Sequence, residues 1–197
     1  MAPAFAVCAG DLDGDGREDI FLSQNFFAAQ PETPRYDAGR GLWLRGDGLG
    51  GFSAVPGQES GILVYGEQRG AALGDFDRDG RVDVAVSQNS AETRLYRNAG
   101  SKPGLRVRLS GSSGNPECVG AILRLVSGGR AGPAREIHAG SGYWSQDSAV
   151  QVMALADGPV QLQVRWPGGV TNLTEVPVGA REVAVDVDGR VTEVPPR

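Results

Sequence analysis

The sequence predicts an all-β fold: two propeller-type blades, each with an acidic loop, followed by a C-terminal β-sandwich-like domain. Three observations lead to this prediction: an internal repeat, alternation of apolar and polar residues after each copy, and 30 glycines among 197 residues. Glycine reaches the positive-φ conformations that tight turns need, so this content favours short strands joined by turns over long helices.

The internal repeat consists of residues 8–25 and 72–89. Ten of the eighteen aligned positions are identical, and the two copies lie 64 residues apart. A weaker match aligns Trp43–Arg45 with Leu95–Arg97 at an offset of 52, which places twelve extra residues of the first copy in segment 26–39. A period near 60 residues with strand patterns is typical of repeated sheet units such as propeller blades.

Alternation after each copy predicts strands. Val82, Val84 and Val86 alternate with small or polar residues, and the first copy begins the same register. A period of two is the pattern of a strand that buries one face, whereas a helix repeats every 3.6 residues. The segments that end at Gly10 and Gly74 are predicted as the strands that enter the acidic loops.

The character of the chain changes near residue 104, where acidic loops give way to short β-rich runs separated by glycine-rich turns. We assign residues 1–102 to the repeats and 103–197 to a second domain. Eight short strands at this spacing predict an antiparallel sandwich or barrel. The predicted strands are Leu105–Leu109, Val119–Val126, Arg135–Ala139, Val150–Ala154, Val160–Trp166, Val170–Val176, Arg181–Val187 and Arg190–Val194.

The net charge is −5, and nine of the 24 acidic residues lie in the two loop windows 11–19 and 75–83. An acidic chain repels phosphate backbones, which argues against nucleic acid as a partner. No apolar run reaches the length of a membrane span. Cys8 and Cys118 allow one disulfide, but two buried thiols are the expectation. The Ala/Gly/Arg/Val-rich usage favours a bacterial source.

Both acidic loops read D-x-D-x-D-G-x-x-D, a pattern of carboxylates that converge on one point in a tight turn. Calcium takes six to eight oxygen ligands, and a glycine at position 6 allows the sharp turn. Position 7 offers a backbone carbonyl, and position 9 closes the shell. The sequence therefore predicts two Ca²⁺ sites rather than two metal-free acidic turns. The predicted ligands are Asp11, Asp13, Asp15, Arg17 and Asp19 in the first loop and Asp75, Asp77, Asp79, Arg81 and Asp83 in the second.

The calcium loops are not EF-hands. An EF-hand needs a bidentate glutamate at position 12, where this chain has Leu22 and Val86. The loops also lead into predicted strands instead of helices. We therefore expect calcium to be structural, with the affinity of roughly 10⁻⁴–10⁻³ M that is typical of extracellular modules.

A family resemblance supports these predictions. The unit Gly74–Val86, followed by Arg94–Asn98, resembles the FG-GAP/VCBS-type repeat of integrin-like β-propellers. The C-terminal half is similar to the ASPIC/UnbV domain that follows such repeats in proteins like cartilage acidic protein. That similarity is carried by Gly104–Leu109, Gly120–Ala121, Arg135–Tyr143, Ser145–Gln146 and Val164–Gly169. The resemblance implies a non-catalytic, calcium-binding protein that is extracellular, periplasmic or at the cell surface.

The two predicted blades are fewer than a propeller needs, since propellers close with about four to eight blades. We therefore expect this chain to be the C-terminal piece of a longer propeller, with the remaining blades as partners. The alternative is a small protein whose blades pack on the second domain or on another copy.

Three functions remain open on the sequence. The first is a binding protein that engages another protein or a carbohydrate, and Tyr143, Trp144 and Asp147 in a glycine-rich loop are its candidate ligand residues. The alternative for that loop is a turn whose aromatic side chains cap the core. The second is an enzyme-like or biosynthetic accessory protein with a pocket near His138, Tyr143 and Asp147. His138 lies in a predicted strand, however, and we expect it to be structural and the chain not to be an enzyme. The third is an architectural cap that seals the last blade.

Overall fold

The computed structural model describes residues 2–34 and 36–195 and confirms an almost entirely β fold. Within those ranges the chain forms sixteen strands in four sheets and one single-turn helix. No helix in the described ranges is long and apolar enough to cross a membrane. The first half contains β1 (Ala4–Gly10), β2 (Asp19–Gln24), β3 (Leu42–Gly46), β4 (Phe52–Val55), α1 (Gly57–Ser60), β5 (Gln68–Gly74), β6 (Asp83–Gln88) and β7 (Ala91–Tyr96). The second half contains β8 (Leu105–Ser110), β9 (Ile122–Ser127), β10 (Arg130–Ala131), β11 (Arg135–Glu136), β12 (Gln151–Met153), β13 (Val160–Arg165), β14 (Thr171–Glu175), β15 (Glu182–Asp186) and β16 (Val191–Glu193).

The first two sheets are antiparallel meanders with the topology of propeller blades. Blade one has the order β1-β2-β3-β4, and blade two has the order β5-β6-β7. Ile20 pairs with Leu44 in blade one, and Val84 pairs with Tyr96 in blade two. These pairs differ by 64 residues on the second strand and by 52 on the third, so the two offsets found in the sequence are confirmed by the register.

A serine side chain accepts a backbone hydrogen bond beside a shift in strand register, and this occurs at the same position in both blades. The pairing of the first two strands shifts register between Ala4 and Val7 in blade one, and at the equivalent place in blade two. In blade one the Ser23 Oγ accepts a hydrogen bond from the Ala6 amide at 2.8 Å, and in blade two the Ser87 Oγ accepts one from the Gly70 amide at 2.9 Å. The serine of the repeated Ser-Gln-Asn segment thus satisfies an amide beside each irregularity.

One hydrophobic cluster joins the blades, and it contains Phe21 and Cys8 from blade one and Val84 and Val86 from blade two. The opposite side of blade one is a partly exposed apolar surface. This blade-one outer face consists of Val7, Ala9, Ile20, Leu22 and Leu44. Its equivalents in blade two by the repeat are Ala71, Leu73, Val84, Val86 and Tyr96, which pack in or against the cluster between the blades. Blade one therefore exposes the surface that blade two buries.

The second half is a two-sheet structure with one shared core, which confirms the sandwich-like prediction. One sheet has the order β12-β8-β15-β16, and the other has β10-β9-β13-β14 with β11 beside β9. The core takes Val107 and Val183 from the first sheet and Leu123 and Leu162 from the second. The alternating pattern of each strand places these side chains between the sheets.

The expectation of a purely antiparallel sandwich was wrong at one pair. Strands β8 and β15 are parallel, with Val107 opposite Val183. A parallel pair needs a long crossover connection. The chain supplies one because β9, β13 and β14 of the other sheet lie between these two strands in sequence.

The predicted strand Arg135–Ala139 is shorter in the structure and ends at Glu136. Ile137 is buried and exchanges backbone hydrogen bonds with Gly120 and Ala121, and the chain then turns away at Gly140, which has a φ of 106°. His138 therefore lies beyond the strand with its side chain exposed, which corrects the expected strand position.

The two cysteines are free and buried, as expected. The Cys8 Sγ lies 3.2 Å from the Ala71 carbonyl oxygen, to which it donates, and burial raises the Cys8 pKa to about 12. Strand β7 ends at Tyr96 and β8 begins at Leu105, so the assigned boundary lies in the connecting segment.

Candidate metal centres

Each predicted metal loop connects the first two strands of a blade. The first loop (residues 11–19) follows β1, and the second (residues 75–83) follows β5. Gly16 and Gly80, at position 6, have φ values of 86° and 83°. A side chain is strained in this left-handed region, so glycine is what allows the loop to reverse there. The prediction that glycine at position 6 allows the sharp turn is confirmed in both loops.

The first aspartate of each loop organises the turn. The two Asp11 oxygens accept the amides of Gly14 at 2.7 Å, Asp15 at 3.1 Å and Gly16 at 2.8 Å. The two Asp75 oxygens accept the amides at the equivalent positions 5 and 6 of the second loop, at 3.0 and 2.7 Å. The backbone of each loop therefore wraps around a buried carboxylate.

The last aspartate closes each loop onto its blade. Asp19 accepts the amides of Leu12 at 3.0 Å and Gly46 at 2.8 Å. Asp83 accepts the equivalent amide within its loop at 2.9 Å and the Asn98 amide at 2.7 Å. Both carboxylates are buried. Position 9 thus ties the loop to the end of the third strand of its blade.

Three carboxylates in each loop converge closely enough to share one ion. The ligand oxygens of Asp11, Asp13 and Asp15 lie within 4.8 Å of one another, as do those of Asp75, Asp77 and Asp83. Two oxygens bound to one calcium are at most about 5 Å apart, because each Ca–O distance is about 2.3–2.6 Å.

An unpartnered oxygen marks the first loop as suited to a cation. Asp13 Oδ1 is buried and has no hydrogen-bond partner among the described residues. A buried carboxylate oxygen without a donor is costly, and a hard cation would remove that cost. The residues present therefore fit Ca²⁺.

The other predicted ligands lie outside these close groups. Asp79 accepts the Arg81 guanidinium at 2.8 Å and the Arg81 amide at 3.0 Å. The Arg17 amide likewise donates to Asp15 at 2.8 Å, and the Arg17 side chain is exposed. The carbonyls of both arginines remain predicted ligands.

Burial dominates the electrostatics of three loop carboxyls. Burial raises the pKa of Asp11, Asp19 and Asp83 above the ordinary aspartate value, against the lowering effect of the amides that donate to them. Asp77 and Asp75 raise the pKa of Asp83 further through charge repulsion. Each loop therefore concentrates negative charge that a cation would stabilise.

Three arginines outside the predicted ligand sets pair with the loops. Arg45 Nε lies 2.9 Å from Asp13 Oδ2, and Arg97 pairs with Asp77. These two arginines occupy equivalent positions at the 52-residue offset. Their recurrence in the repeat was therefore the sequence feature that could have predicted both contacts. Arg106 of β8 pairs with Asp75 of the second loop, and both side chains are almost fully buried. Alternation in β8 gave no sign of that contact, because Arg106 lies on the face opposite the sandwich core.

The candidate ligand loop lies against the blades. Tyr143 contacts Phe5 edge-on with ring centroids 5.6 Å apart, and Trp144 stacks on Tyr143 at 5.4 Å. Trp144 is 94% exposed. Asp147 accepts the Leu73 amide of blade two at 2.7 Å. The structure therefore gives Tyr143 and Asp147 contacts between the domains and leaves Trp144 at the surface.

His138 and Asp147 line one cleft of about 210 Å³ between the domains, and Tyr143 is not part of its lining. His138 lies 3.9 Å from Glu136. Burial raises the pKa of Asp147, whose partners are the Leu73 amide and Ser141. The three residues of the enzyme-like alternative are thus only partly brought together.

Comparison with known proteins agrees with this geometry. Residues 11–86 match the family model of the FG-GAP-like repeat, and residues 111–189 match that of ASPIC and UnbV. The chain is also similar to integrin alpha-4 of Xenopus laevis, with 32% identity over 170 residues. That alignment covers 81% of this chain but only 15% of the relative. The chain therefore belongs to the proteins in which FG-GAP-like repeats are followed by an ASPIC/UnbV domain.

Proposed function

We propose that this chain is a calcium-stabilised, non-catalytic binding module of a protein that acts outside the cytoplasm. The main support is that, in the equivalent loop of each repeat, carboxylate oxygens of three aspartates lie within 4.8 Å of one another. FG-GAP-like repeats are typical of extracellular proteins, and the integrin-like relative supports the same class. Calcium at millimolar extracellular concentrations would suit loops of modest affinity.

The metal would act as a structural element in this proposal. Asp11, Asp13 and Asp15 would hold one ion, and the three aspartates of the second group would hold the other. Calcium supplies positive charge beside Asp11 and Asp83, whose pKa values burial raises, and so offsets the repulsion among the loop carboxylates. Because Asp19 and Asp83 tie the loops to the third strands, this stabilisation extends to the blades.

Calorimetry and thermal unfolding test the proposal. We expect the purified chain to bind two Ca²⁺ ions and to lose several degrees of melting temperature when EDTA removes them, since a ligand that binds only the folded state stabilises it. The matched variant Asp13→Asn should bind one ion fewer. An EDTA-treated protein with an unchanged melting temperature would contradict structural calcium.

The binding part of the proposal rests on exposed surface. The blade-one outer face is apolar and partly exposed, and Val7 within it is 53% exposed. Its repeat equivalent in blade two packs against another blade. We therefore infer that a sheet of the same kind covers it, from the remaining blades of a longer chain or from another copy. The partner class is a protein.

The contacts of the polar interdomain cleft favour an architectural role over catalysis. Asp147 accepts the Leu73 amide, and the nearby charges Arg135 and Glu18 pair at 2.9 Å. Groups that hold the domains together in this way are less available for proton transfer, which requires a side chain within reach of a substrate. This cleft therefore supports an architectural role for the second domain.

A further inference from the structure

A groove of about 450 Å³ lies between the two repeats. Its walls include the partly buried aromatic side chains of Trp43 and Tyr96, and Ile62 adds apolar surface. Arg45 and Arg97 also line it. We call this feature the inter-repeat groove, and it has the mixture of apolar walls and a few charged groups that is typical of ligand sites.

The two groove arginines are the same residue of the repeat. Arg45 follows Leu44, and Arg97 follows Tyr96; both preceding residues lie on the third strand of a blade and pair with its second strand. Each arginine also forms an ion pair with the aspartate at position 3 of its own metal loop. Arg45 Nε lies 2.9 Å from Asp13, and the Arg97 guanidinium pairs with Asp77 and, at 3.2 Å, with Asp79. The contact is therefore a property of the repeat.

Metal and guanidinium compete for these carboxylates. Asp13 and Asp77 belong to the two close carboxylate groups that fit Ca²⁺. A divalent cation on either aspartate reduces its attraction for the neighbouring guanidinium, because both partners are positive. Metal loading therefore weakens the loop contacts of Arg45, which also lies 3.4 Å from Glu59, and of Arg97. Their side chains are 41% and 62% exposed and can reach another anion.

The charge of the groove changes in the same direction. Its charged lining residues are Asp13, Glu59, Arg45 and Arg97, which balance to zero. Calcium in the first loop would add two positive charges beside Asp13, so the electrostatic potential in the groove would become more positive. The rest of the chain has a negative net charge and repels anions. An anion that binds here is therefore held by the residues of the groove.

We propose that the inter-repeat groove, once its two neighbouring metal loops are loaded, binds an acidic peptide segment of a partner protein. This inference rests on the proposed binding function and names the chemistry of the partner. The two guanidiniums pair with carboxylates, to which their planar donors are matched. Trp43 and Tyr96 contact the apolar parts of the peptide, and Arg45, whose guanidinium lies 5.2 Å from the Trp43 ring centroid, joins the two surfaces.

Fluorescence anisotropy of a labelled peptide with alternating glutamate and leucine tests the groove. We expect binding in saturating Ca²⁺ and at least a tenfold loss in EDTA. The double variant Arg45→Ala/Arg97→Ala should lose the peptide in both conditions. The control Arg94→Ala/Arg190→Ala removes the same charge from exposed positions outside the groove and should bind like the parent.

Calcium calorimetry on the single variants tests the competition directly. Removing a guanidinium that competes for a partly exposed carboxylate should tighten one of the two Ca²⁺ sites by roughly two- to tenfold in Arg45→Ala and the other in Arg97→Ala. Unchanged or weaker Ca²⁺ binding by both variants would overturn the competition, since it would mean that the arginines only position the aspartates.

The outcomes separate this inference from the proposed function. A parent protein that takes up no Ca²⁺ contradicts the proposed function. A parent that takes up Ca²⁺ but binds the peptide equally in EDTA, or equally after Arg45→Ala/Arg97→Ala, overturns only the groove. Binding of an oligogalacturonate in place of the peptide also overturns it, because the partner would then be a carbohydrate.

Discussion

At the scale of single residues, the hydrogen-bond donors around a buried carboxyl decide whether its pKa rises or falls. Asp19 and Glu67 are both buried. At Asp19 the amides of Gly46 and Leu12 do not outweigh burial, and its pKa is raised. At Glu67 burial would also raise the pKa, but Asn89, the Phe27 amide and the Arg69 guanidinium lower it to about 2. The Asn89 side chain has the largest lowering effect, and together the three donors outweigh burial.

Glu67 gives a pH prediction with a defined sign. Its folded pKa of about 2 lies below the ordinary value of 4.5, so the ionised form stabilises the fold above pH 4.5 and that contribution is lost as the pH falls to about 2. We expect Glu67→Gln to be less stable than the parent at pH 7 and to approach it near pH 2. Urea unfolding at pH 7, 4 and 2.5 measures the difference.

The exposed residue Glu92 provides the control for this titration, since it lies on the edge strand β7. Glu92→Gln should follow the parent at every pH. A gap between Glu67→Gln and the parent that stays constant from pH 7 to 2.5 would show that ionisation of Glu67 does not stabilise the fold.

At the scale of elements, the repeated unit is a loop and strand pair held by side chains that recur at the same positions. Asp19 and Asp83 bond the loop to the blade, and Ser23 and Ser87 satisfy amides beside the register shifts. These side chains satisfy backbone groups that the strand ladder leaves over. Their recurrence explains why Asp and Ser are identical in the two copies while the surrounding apolar residues vary.

Ser23→Ala tests the role of the repeated serine. Ser23 is buried and accepts the Ala6 amide at 2.8 Å, so the substitution leaves a buried amide without an acceptor. We expect a loss of about 1–3 kcal/mol in the free energy of unfolding. Ser53→Ala, on the exposed strand β4, should cost much less. Equal losses in the two variants would refute the role of Ser23.

Sequence patterns predicted the features that depend on local spacing. The loop motif and the strands after each loop were found from residues close together in the chain, and the two offsets were found by aligning the repeated segments. The parallel pair of β8 and β15, the burial of Arg106 and the early end of β11 were not, because each depends on segments distant in sequence. Alternation of apolar and polar residues shows which face of a strand is directed to the core, but it does not show what packs on the opposite face.

At the scale of the whole molecule, the blade-one outer face predicts self-association. Two copies can bury this apolar surface at high concentration even when no other partner is present. We expect sedimentation velocity to show concentration-dependent association that Val7→Lys weakens. Val178→Lys changes a fully exposed residue in the second domain and should leave association unaltered. A parent protein that stays monomeric at all concentrations would argue against self-association through the blade-one outer face.

The two domains are joined through the second metal loop. Arg106 of β8 lies between Asp75 of that loop and Glu182 of β15, and its Nε donates to Glu182 at 2.8 Å. Arg78 of the loop also pairs with Glu182 at 2.8 Å. Because Asp75, Arg106 and Glu182 are nearly buried, the state of the loop and the docking of the second domain are physically coupled.

Arg106→Met tests that coupling. Methionine keeps much of the side-chain volume but leaves Asp75 and Glu182 as buried carboxylates that have lost this partner, so we expect a loss of about 3–5 kcal/mol in the free energy of unfolding without calcium. Calcium at the second loop compensates Asp75, so the loss should shrink in its presence. Arg108→Met is the matched control, since Arg108 is 52% exposed and 3.8 Å from Glu182. Equal losses with and without calcium would mean that Arg106 stabilises the second domain independently of the metal loop.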